Sequence, residues 1–210
     1  MSQPKRSRAQ SEAEKSERRM RILAAALDLF EARNGGLAPM AEVAARAGVA
    51  KGTVYLYFRT QEEIYLALLE EHFHAWIDRI ELRLGDRPAD PAAIAAEIAE
   101  SGLADLSLLR LATLGPGTLE RGVEPTLALR FRRGIERHLE IAGAGLTKTL
   151  GGPASLLRDS LALVLGLWQS LEPPPAVGAL YSPAEADAHR DRLRAAVEAA
   201  LVALWRGATG

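Results

Sequence analysis

Two short amphipathic segments hinge on a single glycine between Pro39 and Phe58, and this pairing restricts the fold more than any other feature of the chain. Met40, Val43, Ala44 and Ala47 recur at i, i+3, i+4 and i+7, one apolar stripe at helical period, with Pro39 placed as the first helical residue. Gly48 follows the last of them, where a helix often ends in a left-handed residue that only glycine adopts without strain. A second short helix then begins almost at once, with Val49, Val54 and Phe58 as its apolar set. At about 100° per residue, Val54 and Phe58 share its inward face. Two helices meeting at so tight a corner read as a helix-turn-helix.

The other side of the second helix presents Lys51, Gly52, Thr53, Tyr55, Leu56 and Tyr57. Lys51 occupies the first turn, where backbone N–H groups lack partners, and Gly52 leaves room for close backbone approach. Such a helix suits a DNA major groove, with outer residues on base edges while hydroxyls, a lysine and the helix N-terminus hold phosphates. These six residues are the candidate DNA contacts. Leu56 has no hydrogen bond to offer and is expected to favour a thymine methyl. The plainer reading, two small core helices, sits poorly with exposed tyrosines and a bare glycine.

Written out, the stretch is VAARAGVAKGTVYLYF, and it resembles the recognition motif of the tetracycline-repressor (TetR) family of bacterial transcription regulators. The resemblance extends upstream to Ile22-Leu23-Ala24-Ala25-Ala26-Leu27-Asp28-Leu29-Phe30 and downstream to RTQEEIYLALL, covering about residues 16 to 76. It implies an all-α fold in which a three-helix DNA-binding head joins a larger helical domain for effector binding and dimerisation. Where the family commonly has a threonine, a serine and a lysine as phosphate contacts, this chain has Pro39, Ala50 and Gln61. Anchoring is therefore expected to fall on Lys51, Tyr55, Tyr57 and the N-terminal arm.

Charge is distributed to match. Residues 1–60 hold 11 Lys or Arg against 6 Asp or Glu, while the rest hold 15 against 21, so the basic end faces a polyanion. Much of the excess lies in Lys5, Arg6, Arg8, Lys15, Arg18, Arg19 and Arg21. Residues 1–15 lack periodicity and are expected to be a disordered arm, read equally as one that follows phosphates or a minor groove when bound and as a solubilising tail. The chain has 0 cysteines, which excludes disulfides and thiolate metal sites and fits a reducing cytoplasm. The polar, basic N-terminus shows no signal peptide, and the longest strongly apolar run, Leu161 to Trp168, is too short to span a bilayer. A cytoplasmic protein with no membrane partner is expected.

Helical stripes and breakers divide the chain throughout, and nothing reads as a strand. The first helix opens near Ser16 and stops at Asn34-Gly35-Gly36. Thr60 and Glu63 form a capping box before a long stripe from Ile64 to Ile80. After a break from Gly85 to Pro91, helices are expected to about Gly102 and from Leu103 to Leu114, the latter stopped by Gly115-Pro116-Gly117. Glu124 to about Ala142 is helical, Gly143 to Pro153 a loop, and Ala154–Leu171 and Pro183–Arg206 complete a set of about nine helices. The expected organisation is an arm over 1–15, a DNA-binding head over 16–76 with its helix-turn-helix at 39–58, and an effector and dimerisation domain over 77–210.

The last two helices carry wide apolar faces, Leu157, Leu161, Val164, Leu165 and Trp168 on one, and Leu193, Ala196, Val197, Ala200, Leu201 and Leu204 on the other. The resemblance implies that these helices pair with their copies in a four-helix homodimer interface, with Leu161, Val164, Leu165, Val197, Leu201 and Leu204 as its candidates. Two heads about 34 Å apart would then read a pseudo-palindromic operator in double-stranded DNA. The resemblance also implies a pocket for an unidentified, apolar small-molecule effector, with Phe73, Trp76, Leu106, Leu109, Phe131 and Trp168 as candidate lining. The residues alone read more readily as core, and only the resemblance raises the pocket above it. Arg130, Arg132, Arg133 and Arg137 read as a solvated helix face.

No enzyme is indicated: nucleophile–base patterns, phosphate loops and catalytic residues are missing, and no cofactor is expected. His72 and His74 fall on opposite faces of one helix, and His138 and His189 stand isolated in sequence, so no metal is expected either. The rival to a homodimeric repressor is a helical protein-interaction module or ligand sensor with weak or no DNA binding, favoured by Pro39, Ala50 and Gln61.

Overall fold

Helix breakers set the element order. The computed structural model describes residues 4–84 and 90–209, which form ten α-helices and one π-helical turn and, among the described residues, no strand. They are α1 (Pro4–Ala32), α2 (Met40–Arg46), α3 (Lys51–Tyr55), α4 (Gln61–Leu84), α5 (Pro91–Ala104), α6 (Leu106–Leu114), α7 (Pro125–Leu150), α8 (Leu156–Leu171), α9 (Pro175–Gly178) and α10 (Pro183–Thr209). The break expected from Gly85 lies, up to residue 89, outside the described residues.

The N-terminal head is built on α1. Ile22, Ala26 and Phe30 of α1 are buried with Val43 and Ala44 of α2, Val54 of α3 and Ile64 of α4, so one apolar nucleus holds all four helices. Gly48 turns the corner with φ +66°, and the Val49 N–H closes back on the Ala44 carbonyl at 3.0 Å, a left-handed helix end. Tyr65 reaches across from α4: the Ala38 N–H donates to its hydroxyl at 2.8 Å, and its ring meets Phe30 at 5.6 Å. Burial pushes the Tyr65 phenol up, so it stays a neutral hydrogen-bonding group.

In the body, α4 lies against α5, α6 and α7, α8 packs on α7, and α10 packs chiefly on α5 and α8. Four features depart from the sequence expectations. Helix α1 starts at Pro4, upstream of Ser16, so most of the 1–15 arm is drawn as helix; good helix formers and the pairs Lys15–Glu12 (3.2 Å) and Arg18–Glu14 (3.7 Å) extend it. The chain does not stop at Gly115-Pro116-Gly117 but widens into a π turn over Gly115–Leu119, because Pro116 has no N–H to continue the α ladder; the Glu120 N–H bonds Gly115 O at 2.9 Å. Helix α7 runs on through the expected loop to Leu150. A Cβ on Gly143 would lie 2.0 Å from the Ala154 carbonyl oxygen, so this glycine permits the chain to cross at the start of α8 rather than ending α7. The proline-rich link between α8 and α10 contains the one-turn α9.

Candidate nucleic-acid interface and its coupling to the body

Val54 at 0% and Phe58 at 4% exposure pin α3 and its following turn into the head. Lys51, Gly52, Tyr55 and Leu56 are consequently turned to solvent on one face, with Thr53 and Tyr57 half-buried at its edges. All six expected contact residues thus fall on a single surface. Leu56 stands 84% exposed, an apolar tip with no intramolecular partner to explain it. The Lys51 ammonium sits 5.8 Å over the Tyr55 ring, which steadies two candidate contacts together. Nothing lies within 4 Å of where a Gly52 Cβ would be, so the space before the backbone is open. Behind the face, the Arg19 guanidinium lies 5.5 Å over the Phe58 ring, using one residue of the basic N-terminal run for packing. Arg59, exposed directly after Phe58, adds a cation that sequence reasoning passed over; its adjacency to the motif was the available signal.

The substituted phosphate contacts behave as their chemistry dictates. Pro39, expected as the first helical residue, is instead the extended N-cap of α2, Ala50 is that of α3, and neither makes a side-chain cap hydrogen bond. The Gln61 amide is engaged by Glu62 at 3.1 Å. At α4 the expected capping box is present in part: the Glu63 N–H donates to Thr60 Oγ1 at 3.2 Å, while the Glu63 carboxylate accepts from the Arg59 N–H at 2.7 Å.

Polar contacts tie head to body. Ser107 Oγ donates to Glu31 at 2.9 Å, joining α6 to α1, and Thr60 Oγ1 donates to the Gly122 carbonyl at 3.1 Å, joining the start of α4 to the turn before α7. His72 Nδ1 of α4 lies 2.7 Å from Asp105 Oδ2, and the other Asp105 oxygen caps α6 by accepting from the Leu108 N–H at 2.8 Å. Burial works to raise the Asp105 carboxyl, but the hydrogen bonds from His72 and Leu108 outweigh it and hold it below the usual carboxylate range. Because its folded pKa is depressed, Asp105 stabilises the fold above its unfolded pKa, and that contribution disappears as pH falls through the folded value. Asp105→Ala is expected to cost about 1–2 kcal/mol at neutral pH, mostly as a lost cap. Urea unfolding should show the gap to wild type narrowing as pH drops below the ordinary carboxylate range.

Of the expected pocket residues, Phe73, Trp76, Leu109, Phe131 and Trp168 are buried. Phe73 and Phe131 face each other at 6.5 Å across α4 and α7, and Trp76 Nε1 donates to Ser101 at 3.1 Å. Trp168 Nε1 is buried without a hydrogen-bond partner. Leu106 does not belong with them: as the first residue of α6 it is 45% exposed, because the Asp105 cap turns that end of the helix outward. The arginines at 130, 132, 133 and 137 are exposed, as expected.

The expected dimer residues also need correction. Leu161, Val164, Val197 and Leu201 are buried inside the single chain, where α8 and α10 pack on α5 and on each other, so they cannot also meet a second copy. Leu165 and Leu204, half-buried, remain at the edge. The outward faces carry small residues instead: Ala162 and Gly166 on α8, and Ala195, Ala199 and Ala203 on α10, all exposed at i, i+4 spacing. That spacing is visible in the sequence beside the larger leucine stripe.

His138 is not isolated. It lies on α7 beside α4, where its side chain meets Asp78 and Glu81, and its ring is 4.8 Å from that of His74. Only the helix pairing brings these four residues together.

Comparison with known proteins agrees with this geometry. Residues 22–68 match the family model described as bacterial regulatory proteins, tetR family, and residues 70–210 match that of the tetracyclin repressor-like C-terminal domain. The fatty acid metabolism regulator protein of Bacillus subtilis is 36% identical over 62 residues, covering 30% of this chain and 32% of that protein. The HTH-type transcriptional activator FasR of Mycolicibacterium smegmatis is 43% identical over 58 residues, covering 28% of this chain and 26% of that one. The chain therefore spans about a third or less of the length of these curated relatives in its matches. Over nearly the whole chain the fold is that of a Rhodococcus transcriptional regulator (TM-score 0.62, 23% identity, 91% of this chain and 98% of the other). It is also that of FadR from Bacillus subtilis in complex with stearoyl-CoA (TM-score 0.56, 20% identity, 87% and 97%). Among the described residues no helix is long and apolar enough to cross a membrane.

Proposed function

Since the chain belongs to the tetracycline-repressor family of DNA-binding bacterial transcription regulators, we propose that it acts as a homodimeric repressor released from its operator by an apolar-tailed small molecule. The observation that carries this reading is the α3 surface, where Lys51 and Tyr55, paired only with each other, stand out beside an 84%-exposed Leu56. Lys51 and the tyrosine hydroxyls supply phosphate contacts, and Leu56 reads a base. Dimerisation uses the small-residue faces of α8 and α10, whose alanines and glycine allow close helix approach, and it sets two α3 helices on one side of the duplex.

For the effector we favour a long-chain acyl compound such as an acyl-CoA. The support is the apolar set around Phe73, Phe131 and Trp168, the partnerless Trp168 N–H as a polar handle, and the stearoyl-CoA named with the similarly folded FadR. Such a ligand acts by preferring one arrangement of head and body, and the Thr60–Gly122 and Ser107–Glu31 contacts are where that preference reaches α4 and α1.

Selection of bound duplexes from a random pool tests the regulator reading. The expected product is a pseudo-palindrome bound with strong salt dependence and released on adding stearoyl-CoA. A pool that never enriches a salt-sensitive site would reject operator recognition, and release by no acyl compound would reject the effector class.

A further inference from the structure

Helix α4 carries His74, Asp78 and Glu81 at i, i+4 and i+7, one stripe of metal-binding side chains along a single face. Helix α7 runs beside it and brings His138 to the same place. Donor atoms of Asp78, Glu81 and His138 all lie within 4.8 Å of one another. His138 Nε2 stands 3.7 Å from Asp78 Oδ1, too far for a hydrogen bond, and the His74 ring lies alongside that of His138, centroids 4.8 Å apart.

An ordinary surface ion pair accounts for part of this arrangement. It does not account for two carboxylates converging on one imidazole, with a second imidazole next to it and no hydrogen bond closed between Asp78 and His138. A divalent cation placed among the three groups would neutralise both carboxylates and be held by the imidazole at the same time. We infer that Asp78, Glu81 and His138 form a three-ligand binding site for a divalent transition metal of the zinc class, with the fourth coordination position open. Imidazole together with carboxylate favours such ions over magnesium or calcium, which take oxygen ligands. Metal–ligand bonds of about 2.0–2.2 Å place donors roughly 3.3 Å apart in a tetrahedral site. The cluster therefore has to close by about 0.4 Å at the His138–Asp78 pair and by up to about 1.5 Å at its widest. Asp78 and Glu81 are exposed and His138 is half-buried, so small χ rotations suffice.

The site joins two elements that otherwise meet through apolar contacts such as Phe73–Phe131. A bound ion cross-links α4 to α7 some turns along from the Thr60–Gly122 contact and stiffens the pairing of these helices. The inference stands on the side-chain cluster alone and is independent of any operator or effector.

Zinc chloride titrated into the metal-free full-length protein against a fluorescent zinc chelator tests it, with thermal melting as a second readout. Saturable binding of about one zinc per chain is expected, weakening as pH drops from about 7.5 to 5.5 because imidazole must be neutral to bind. His138→Gln and Asp78→Asn should each lower zinc affinity at least about tenfold and abolish the zinc-dependent rise in melting temperature. His189→Gln, on α10, should leave both unchanged. Both cluster variants alter surface-accessible side chains, and an unchanged helical circular dichroism signal verifies their fold. Failure to saturate, or equal zinc affinity in the His138→Gln/Asp78→Asn double variant, overturns the site.

Discussion

Gly143→Ala is expected to destabilise the protein while Gly145→Ala, two residues along the same helix, stabilises it. In an isolated helix both changes gain, since alanine exceeds glycine in helix propensity by about 1 kcal/mol. At Gly143 the new methyl would lie 2.0 Å from the Ala154 carbonyl oxygen and 3.5 Å from Leu157 Cβ, and the first of these is backbone that cannot rotate away. Overpacking of this kind costs about 1–3 kcal/mol, and a clash so short belongs at the upper end, so the net effect is a loss. At Gly145 nothing lies within 4 Å, and the propensity gain stands alone. Urea unfolding of the pair decides it: two stabilised variants would mean that α7 and α8 do not cross at Gly143.

Ala199→Glu should separate the dimer and with it most operator affinity. Ala199 is exposed on α10, opposite the buried Val197 and Leu201, so in the single chain a glutamate there faces solvent. In a two-fold interface the substitution appears twice and sets two carboxylates against each other at close helix approach. A monomer offers one α3 where a dimer offers two, and losing the second, effectively intramolecular, contact lowers affinity by about 10²- to 10⁴-fold. Sedimentation and operator titration on the same sample supply the two readouts. A dimer that survives the substitution would move the interface away from this face.

The head was legible because its signals are local. Gly48 must be left-handed for the corner to close, Val54 and Phe58 are one helical turn apart, and Thr60 with Glu63 announces the start of α4, all within a few residues of each other. Legibility failed where an outcome depended on which helix lies next to which. The stripe of Leu161, Val164, Val197 and Leu201 shows that α8 and α10 each have an apolar face, but periodicity does not say whether α5 of the same chain or a second copy covers it. The glycines at 115 and 143 are ordinary stop signals by residue type. One became part of a π turn because Pro116 removes a donor, and the other stayed inside a helix because the start of α8 needs its missing side chain.

By itself the sequence determined the helical class, the helix-turn-helix and its outward residues, since each rests on dihedral preferences and the 3.6-residue period, which act between near neighbours. Tertiary structure alone decided which apolar stripes are spent inside the chain, which small-residue faces are left outside, and that His138 meets Asp78 and Glu81. Those outcomes join residues tens of positions apart, and only the packing of helix on helix brings such residues within reach of one another.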